Sequence, residues 1–145
     1  MSTPLVEIPV IPIWDLLLVP LQGDVTDAQA DALALRVLQW VRRARVRAVV
    51  VDLSGLELID SHFCAGLAHL ARSAGLMGAR VHLCGLQPDV ALTLLTMGLE
   101  LPDVQMSVGL EACLTELGVV RMTDSSAENQ MTNGDEDGRT HELDG

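Results

Sequence analysis

Apolar residues along this chain fall into short continuous runs and longer segments in which they recur at helical spacing. The first two runs cover residues 8–13 and 15–21 and are separated at Trp14. Pro9 and Pro12 restrict the first run to the edge of a sheet, because proline has no N–H to donate to a neighbouring strand. The pattern therefore predicts an opening β-hairpin.

A helix is predicted directly after this hairpin. Thr26 followed three positions later by Gln29 matches a capping box, a pattern that begins many helices. Apolar residues then recur at the spacing of one helical face, at Ala30, Leu33, Val37, Val41 and Ala44. We expect the first helix over about residues 27–44.

The chain then continues to alternate between strands and helices. The Val-rich run Ala48 to Leu53, ended by Ser54-Gly55, predicts a strand buried on both faces at the centre of the sheet. The later elements are predicted as a helix after Asp60 that stops at Gly75 and Gly78, a strand over Arg80 to Cys84, a helix from Pro88 to Gly98, a strand over residues 103–106 and a helix over residues 110–117. This alternation predicts an α/β fold with a mostly parallel sheet of four to five strands and about four helices.

Length and composition favour one domain followed by a tail. Of the 145 residues, 49% are apolar and only 2% aromatic, so the core is expected to consist of Leu, Val, Ile and Ala. Residues 1–120 are predicted to form the domain. Residues 121–145 carry seven acids against two arginines and few large aliphatic residues, so we predict an acidic disordered tail.

Charge and cysteine content narrow the function classes. The formal charge is −11, and residues 1–120 alone hold 13 acids against seven arginines, so a nucleic-acid backbone would be repelled. No run approaches the roughly 18 apolar residues of a membrane span, and the N-terminus lacks the basic residue and uninterrupted apolar core of a signal peptide. The three cysteines, Cys64, Cys84 and Cys113, are predicted to be reduced core residues of a cytoplasmic protein.

Candidate chemistry concentrates at the Asp60-Ser61 pair. Ser61 lies where the loop after a buried strand meets a helix, and its hydroxyl is predicted to cap free backbone N–H groups at the surface. A serine nucleophile needs a base within hydrogen-bond reach, but His62 is the next residue and points about 100° away around the helix. No G-x-S-x-G pattern surrounds Ser61, so the sequence does not favour an enzyme.

Two His-Cys pairs suggest a metal site but fit better as surface and core residues. Cys64 falls toward the core flank of its helix, while His62 lies on the outer face. His69 shares that face, yet seven residues of helix separate it from His62 by roughly 10 Å, too far for one zinc ion. Cys84, at the end of a buried strand after His82, is predicted to be a small core residue. We predict neither a metal nor a cofactor.

One basic cluster surrounds the end of the first helix and comprises Arg42, Arg43, Arg45 and Arg47. Cations are favoured at the negative end of a helix dipole, which is enough to account for the cluster. The alternative is a surface for an acidic protein partner or for an anionic lipid headgroup.

The segment VDLSGLELIDS, from Val51 to Ser61, resembles the phosphoacceptor region of the STAS domain family, which includes anti-sigma factor antagonists. The resemblance continues through LMGARV at residues 76–81 and GLQP at residues 85–88, and it covers about residues 5–118. The opening IPVIPIWDLLLVPLQG and the later GLQPDVALTLLTMGLEL are most similar to the single-domain RsbS type of stressosome component. The resemblance implies the STAS (SpoIIAA-like) fold.

The same resemblance implies a phosphorylation switch. Ser61 would be phosphorylated by a switch serine kinase of the RsbT type, which the unphosphorylated chain holds, and reset by a serine phosphatase of the RsbX type. It also implies a homo- or hetero-oligomer with RsbR-type paralogues that carry sensor domains. The partner-binding surface is expected to comprise Glu57, Asp60, Ser61 and His62. Cys84 stands where relatives commonly have Thr, so no second phosphorylation site is expected there.

Two other function classes stay open. The arginine cluster and the versatility of the STAS fold also fit an accessory subunit of a lipid or anion transport system, for which neighbouring permease and ATPase genes would be the sign. An Asp60-Ser61 hydrolase ranks last, and it would require ester turnover that disappears in Ser61→Ala.

Overall fold

A computed structural model describes residues 7–96 and 104–119. The strands are β1 (Ile11–Ile13), β2 (Leu16–Gly23), β3 (Ala48–Leu56), β4 (Arg80–Cys84) and β5 (Val104–Ser107). The helices are α1 (Asp27–Ala44), α2 (Ser61–Leu76), α3 (Pro88–Thr96) and α4 (Leu110–Glu116). The order predicted from the sequence is therefore confirmed, while the predicted helix end at Gly98 and the predicted tail lie outside the described residues.

The chain divides into two compact units. The first runs to Cys113 and contains the whole sheet. The second begins at Leu114, and its described part is the end of α4 and a turn in which the Gly118 N–H donates to the Thr115 carbonyl at 3.0 Å. The division between a domain over residues 1–120 and a tail stays a prediction.

One five-stranded sheet in the order β1-β2-β3-β4-β5 organises the first unit. β1 is antiparallel to β2, and the other three pairs are parallel. The opening hairpin, the edge position of Pro12 and the central position of β3 are as predicted. Because the consecutive parallel strands are joined through helices, their carboxyl ends meet at one end of the sheet.

β3 is longer than its sequence suggests, because it continues through Ser54-Gly55 to Leu56. The register of β2 shifts between Pro20 and Gln22, after which Gln22 pairs with Gly55. A Cβ at Gly55 would lie 2.9 Å from the Leu21 carbonyl oxygen, so glycine here permits a close approach between the strands. Gly55 thus extends the strand that Ser-Gly was predicted to end.

Helices α1 and α2 pack against each other and bury their apolar faces in the main core. The Thr26–Gln29 capping box is present at the start of α1, with the Gln29 N–H donating to the Thr26 hydroxyl at 3.1 Å. The fully buried side chains of this core include Val19, Val37, Val49, Leu53, Ala74, Val81 and Leu83. Aliphatic side chains dominate the core, as the composition predicts.

The loops that join the strands and helices lie at the two ends of the sheet. The carboxyl end holds the loops that follow β2, β3 and β4, at residues 24–26, 57–60 and 85–87. The amino end holds the hairpin turn at Trp14 and the segments that lead into β3 and β4, at residues 45–47 and 77–79. The predicted site residues lie at the carboxyl end, where parallel α/β sheets commonly bind their ligands and partners.

Candidate functional site

The start of α2 is capped by Asp60 rather than by Ser61. Asp60 has an extended backbone (φ −120°, ψ 176°), and its Oδ1 accepts a hydrogen bond from the Phe63 N–H at 2.8 Å. Ser61 is the first residue of the helix itself. The prediction that the Ser61 hydroxyl caps the helix is therefore wrong, because the capping geometry belongs to the residue that precedes the first helical one.

The Ser61 side chain is exposed to solvent. Within the described residues, the Ser61 hydroxyl takes part in no hydrogen bond. The backbone N–H of Phe63, which a capping side chain would bind, donates to Asp60 instead. Position and accessibility together leave this hydroxyl available to a partner or to a modifying enzyme. No catalytic triad is formed around it in the part of the chain that the structure describes.

The loop before Ser61 is fixed at both ends and presents one apolar side chain in the middle. The Glu57 N–H donates to the Gly23 carbonyl at 3.2 Å, which ties the start of the loop to the end of β2. Ile59 packs against the core. Leu58, between them, is 73% exposed. Leu58 is therefore an exposed apolar side chain on a loop whose two ends are held by the fold.

The neighbouring loop after β4 is held closely against the end of β3. Gly85 has a φ of +70°, and a Cβ at this position would lie 2.8 Å from Asp52 Oδ1. The Gln87 side-chain amide donates to the Ser54 carbonyl at 2.7 Å, and the Ser54 N–H donates to Asp52 Oδ1 at 3.0 Å. These contacts make a rigid base beside the loop that carries Leu58.

His62 joins α2 to α1 at the surface. Its Nε2 lies 3.2 Å from Asp31 Oδ1, and both side chains are largely exposed. The hydrogen bond with Asp31 raises the pKa of His62 above its ordinary value, and the negative charges of Asp27 and Asp60 act in the same direction. The predicted outward position of His62 is confirmed, whereas no sequence pattern indicated Asp31 as its partner.

Carboxylates concentrate at this end of the molecule. The acidic residues in or next to its loops are Asp24, Asp27, Asp31, Asp52, Glu57, Asp60 and Asp89. An end of this charge repels phosphate backbones and favours partners that present basic groups.

The cysteines occupy the interior, as predicted. Cys64, Cys84 and Cys113 are fully buried free thiols. Burial, with a smaller contribution from the charge of Asp52, raises the pKa of Cys84 to about 12. Burial also raises the pKa of Cys64. Such thiols are poor ligands and nucleophiles, and no group of three potential metal-ligating side chains occurs among the described residues.

No helix in the described ranges combines the length and the apolar character needed to cross a membrane.

The model of the STAS domain family matches residues 6–109 of the chain. The chain belongs to this family. A solved structure of a serine-to-glutamate variant of RsbS from Moorella thermoacetica is 26% identical, with a TM-score of 0.69 over 78% of this chain and 96% of that one. A chain in a solved structure of the stressosome, which is described as a signal integration and transduction hub, is also 26% identical. Its TM-score is 0.64 over 76% of this chain and 96% of that one.

Curated relatives of this STAS domain include the RsbT co-antagonist proteins RsbRB and RsbRA of Bacillus subtilis. RsbRB is 28% identical over 67% of this chain, and RsbRA is 26% identical over 66%. The chain spans only 35% of the length of either protein. Unphosphorylated SpoIIAA, at 10% identity and a TM-score of 0.62, shares the fold. The predicted fold is confirmed, and the similarities support a role of the anti-sigma factor antagonist or stressosome type.

Proposed function

We propose that this STAS domain is a stressosome scaffold and anti-sigma-pathway antagonist that holds a switch serine kinase and releases it when Ser61 is phosphorylated. The observation that carries the proposal is the exposed Ser61 hydroxyl, which the fold does not use, directly after the Asp60 cap. The similarity of the chain to RsbS supports the assignment. The surface for the kinase comprises Glu57, Asp60, Ser61 and His62.

The fold tolerates a phosphate at Ser61 for two reasons. The first is that no hydrogen bond of the described structure depends on the hydroxyl, because Asp60 supplies the cap. The second is that a phosphate group is favoured at the positive end of a helix dipole. Phosphorylation therefore changes the surface and leaves the domain folded.

Release follows from what the phosphate does to a bound partner. A partner that packs on Leu58, which is 73% exposed, also covers the neighbouring Ser61. Phosphorylation adds about −1.5 to −2 charge units there. Burying that charge beside Glu57 and Asp60 costs desolvation and repulsion, because both neighbours are acidic and exposed. The complex with the kinase is weakened as a result.

The partners that follow are an RsbT-type serine kinase, RsbR-type paralogues with sensor domains and an RsbX-type serine phosphatase. The names of the similar RsbT co-antagonist proteins support the first two. Assembly is homo- or hetero-oligomeric and cytoplasmic, and the domain acts by binding rather than by catalysis.

Phosphate mapping tests the proposal. Incubation of the full chain with an RsbT-type serine kinase and ATP, followed by mass spectrometry, is expected to find one phosphate on Ser61. Ser54 is the matched internal control, because it is also exposed at the carboxyl end of the sheet. Phosphate on Ser54, only on Ser125 or Ser126, or on no residue would contradict the proposal.

A binding assay tests the release step. Ser61→Asp is expected to weaken the complex with the kinase, while Ser61→Ala keeps it and Ser54→Asp has little effect. Circular dichroism checks that all three variants stay folded. Equal kinase affinity of Ser61→Asp and the unmodified chain would refute release by charge.

The transport-subunit alternative rests on the exposed residues Arg42, Arg43 and Arg45. Arg47, the fourth member of that cluster, instead pairs with Asp15 at 2.7 Å. Genes for a permease and an ATPase beside this one would favour the transport role, whereas genes for a kinase, a phosphatase and sensor paralogues would favour the switch.

A further inference from the structure

A cavity of about 270 Å³ lies between α1 and α2 and reaches down to the sheet. Val19 of β2 and Val51 of β3 form part of its floor, and mostly apolar side chains of the two helices form its walls. Gly66 stands in the α2 wall, and a Cβ at this position would contact no neighbouring helix or strand within 4 Å. The missing side chain at Gly66 therefore leaves open space between two helices that otherwise pack against each other.

The volume of this α1–α2 cavity limits the size of a ligand. A cavity of about 150 Å³ lined by apolar side chains accepts benzene, and most ligand pockets measure about 300–1,000 Å³. The α1–α2 cavity lies between these sizes. A single ring or a short aliphatic chain fits it best, because the floor is apolar and offers a polar body no hydrogen bond.

Charge differs between the two ends of the cavity. Asp31 and His62 close the end that faces the carboxyl end of the sheet, where Asp31 Oδ1 and His62 Nε2 lie 3.2 Å apart. His69 lines the other end, roughly 10 Å further along α2. Arg42 follows the lining residue Leu38 by one turn of α1, so it lies on the same helical face near that end.

The end at His69 is the favourable one for an anion. Arg42 is exposed and pairs with no carboxylate among the described residues. Its side chain points back toward Leu38, because side chains on a helix are directed toward the N-terminus of the helix. The His69 imidazole adds a hydrogen-bond donor. An anionic group at the opposite end would instead be repelled by Asp31.

We propose that the α1–α2 cavity binds a small amphipathic carboxylate. The apolar body of the ligand occupies the space beside Gly66. The carboxylate lies at the other end, where it accepts a hydrogen bond from His69 and faces the guanidinium group of Arg42. The proposal goes beyond the kinase switch, since the ligand lies between the helices and leaves Ser61 and the loop before it uncovered.

Amide NMR of the full chain during titration with octanoate, octanol and octylammonium tests the proposal. The three probes share one aliphatic chain and differ in the charge of the head group. Octanoate is expected to bind at least about tenfold more tightly than octylammonium, with octanol between them. The shifted amides are expected to cluster at Ala34, Leu38 and Gly66. Shifts that instead spread over exposed leucines such as Leu58 and Leu76 would mean adventitious binding only and would overturn the proposal.

Two substitutions fill the cavity from opposite walls. Gly66→Leu on α2 and Ala34→Leu on α1 are each expected to weaken octanoate binding at least about tenfold, because the added side chain takes the space of the ligand. Gly75→Leu is the matched control for Gly66, since Gly75 also has open space on α2 but lies outside the cavity lining. Ala32→Leu is the control for Ala34, because Ala32 is exposed on α1 outside the lining. Circular dichroism checks the fold of every variant.

Recognition of the head group is tested separately. Arg42→Gln and His69→Phe are each expected to weaken octanoate binding about threefold more than octanol binding. Arg43→Gln is the control for Arg42, because Arg43 is also exposed but points about 100° away around the helix. Equal losses in a test variant and its control, or equally tight binding of octylammonium and octanoate, would overturn the proposal. Because no kinase is present, failure here is distinct from failure of the Ser61 switch.

Discussion

Replacing Asp60 by Ala separates the helix cap from the candidate phosphoacceptor beside it. The substitution removes the carboxylate oxygen that accepts the Phe63 N–H at 2.8 Å, and it removes a negative charge from the positive end of α2. The neighbouring Ser61→Ala removes only a hydroxyl that has no partner among the described residues. The two variants are therefore expected to differ in stability although they are adjacent.

The magnitude follows from these contacts. Loss of an N-cap side chain costs about 1 kcal/mol, and loss of a charge at an exposed helix end adds about 0.3–1 kcal/mol. We expect Asp60→Ala to lower the free energy of unfolding by about 1–2 kcal/mol, equivalent to roughly 4–8 °C in Tm for a domain of this size. Asp60→Asn keeps an acceptor oxygen and is expected to cost about 0.5 kcal/mol. Ser61→Ala is expected to stay within about 0.5 kcal/mol of the parent.

Urea unfolding followed by far-UV circular dichroism measures all three free energies under the same conditions. Interpretation requires equal slopes of free energy against urea concentration, because a changed slope indicates a changed denatured state. A loss for Ser61→Ala equal to or larger than that for Asp60→Ala would refute the assignment of Asp60 as the cap.

Three further predictions concern the surroundings of this helix start. Because the hydrogen bond with Asp31 raises the pKa of His62, an NMR titration should find its midpoint above the ordinary value, and Asp31→Asn should lower it. The stabilisation from the His62–Asp31 bridge is present below about pH 6.5 and is lost as the pH rises through the raised pKa of His62. A free energy of unfolding that is independent of pH across this range would argue against the bridge. Gly85→Ala combines a positive φ with a contact at 2.8 Å, so it should lower the free energy of unfolding in urea by about 2–4 kcal/mol. Gly23→Ala has a positive φ but open space, so it should lower this free energy by only about 1–2 kcal/mol. Equal losses would contradict the close approach at Gly85. The buried thiol of Cys84, with its pKa raised to about 12, should resist iodoacetamide in the native chain and react after denaturation, and rapid native labelling would show that it is accessible.

Local patterns in the sequence were sufficient for most element boundaries. The Thr26–Gln29 capping box and the apolar spacing that follows predicted α1 at its observed bounds, because capping and amphipathicity are short-range properties. The extension of β3 past Ser54 was missed, since it depends on how closely β2 approaches Gly55. Ser-Gly alone indicates a turn, and only the pairing of two distant segments shows otherwise.

The start of α2 was predicted in place, but the residue that caps it was not. Asp and Ser are both good N-caps, so the sequence could not decide which of Asp60 and Ser61 has the extended backbone that capping requires. The partner of His62 lies 31 positions away on α1, and no periodicity within one helix identifies a contact between two helices. The arginine cluster at the end of α1 was visible in the sequence. Only the fold shows that Arg72 and Arg80 also lie near the amino end of the sheet.

Pro12 has a consequence for how this protein behaves at high concentration. It lies in β1, the three-residue edge strand that pairs only with β2 in the described sheet. An added strand would need a backbone N–H at this position, and proline has none. Growth of the sheet by strand addition is therefore disfavoured at the β1 edge, which lowers the tendency of the hairpin side of the domain to aggregate through its backbone.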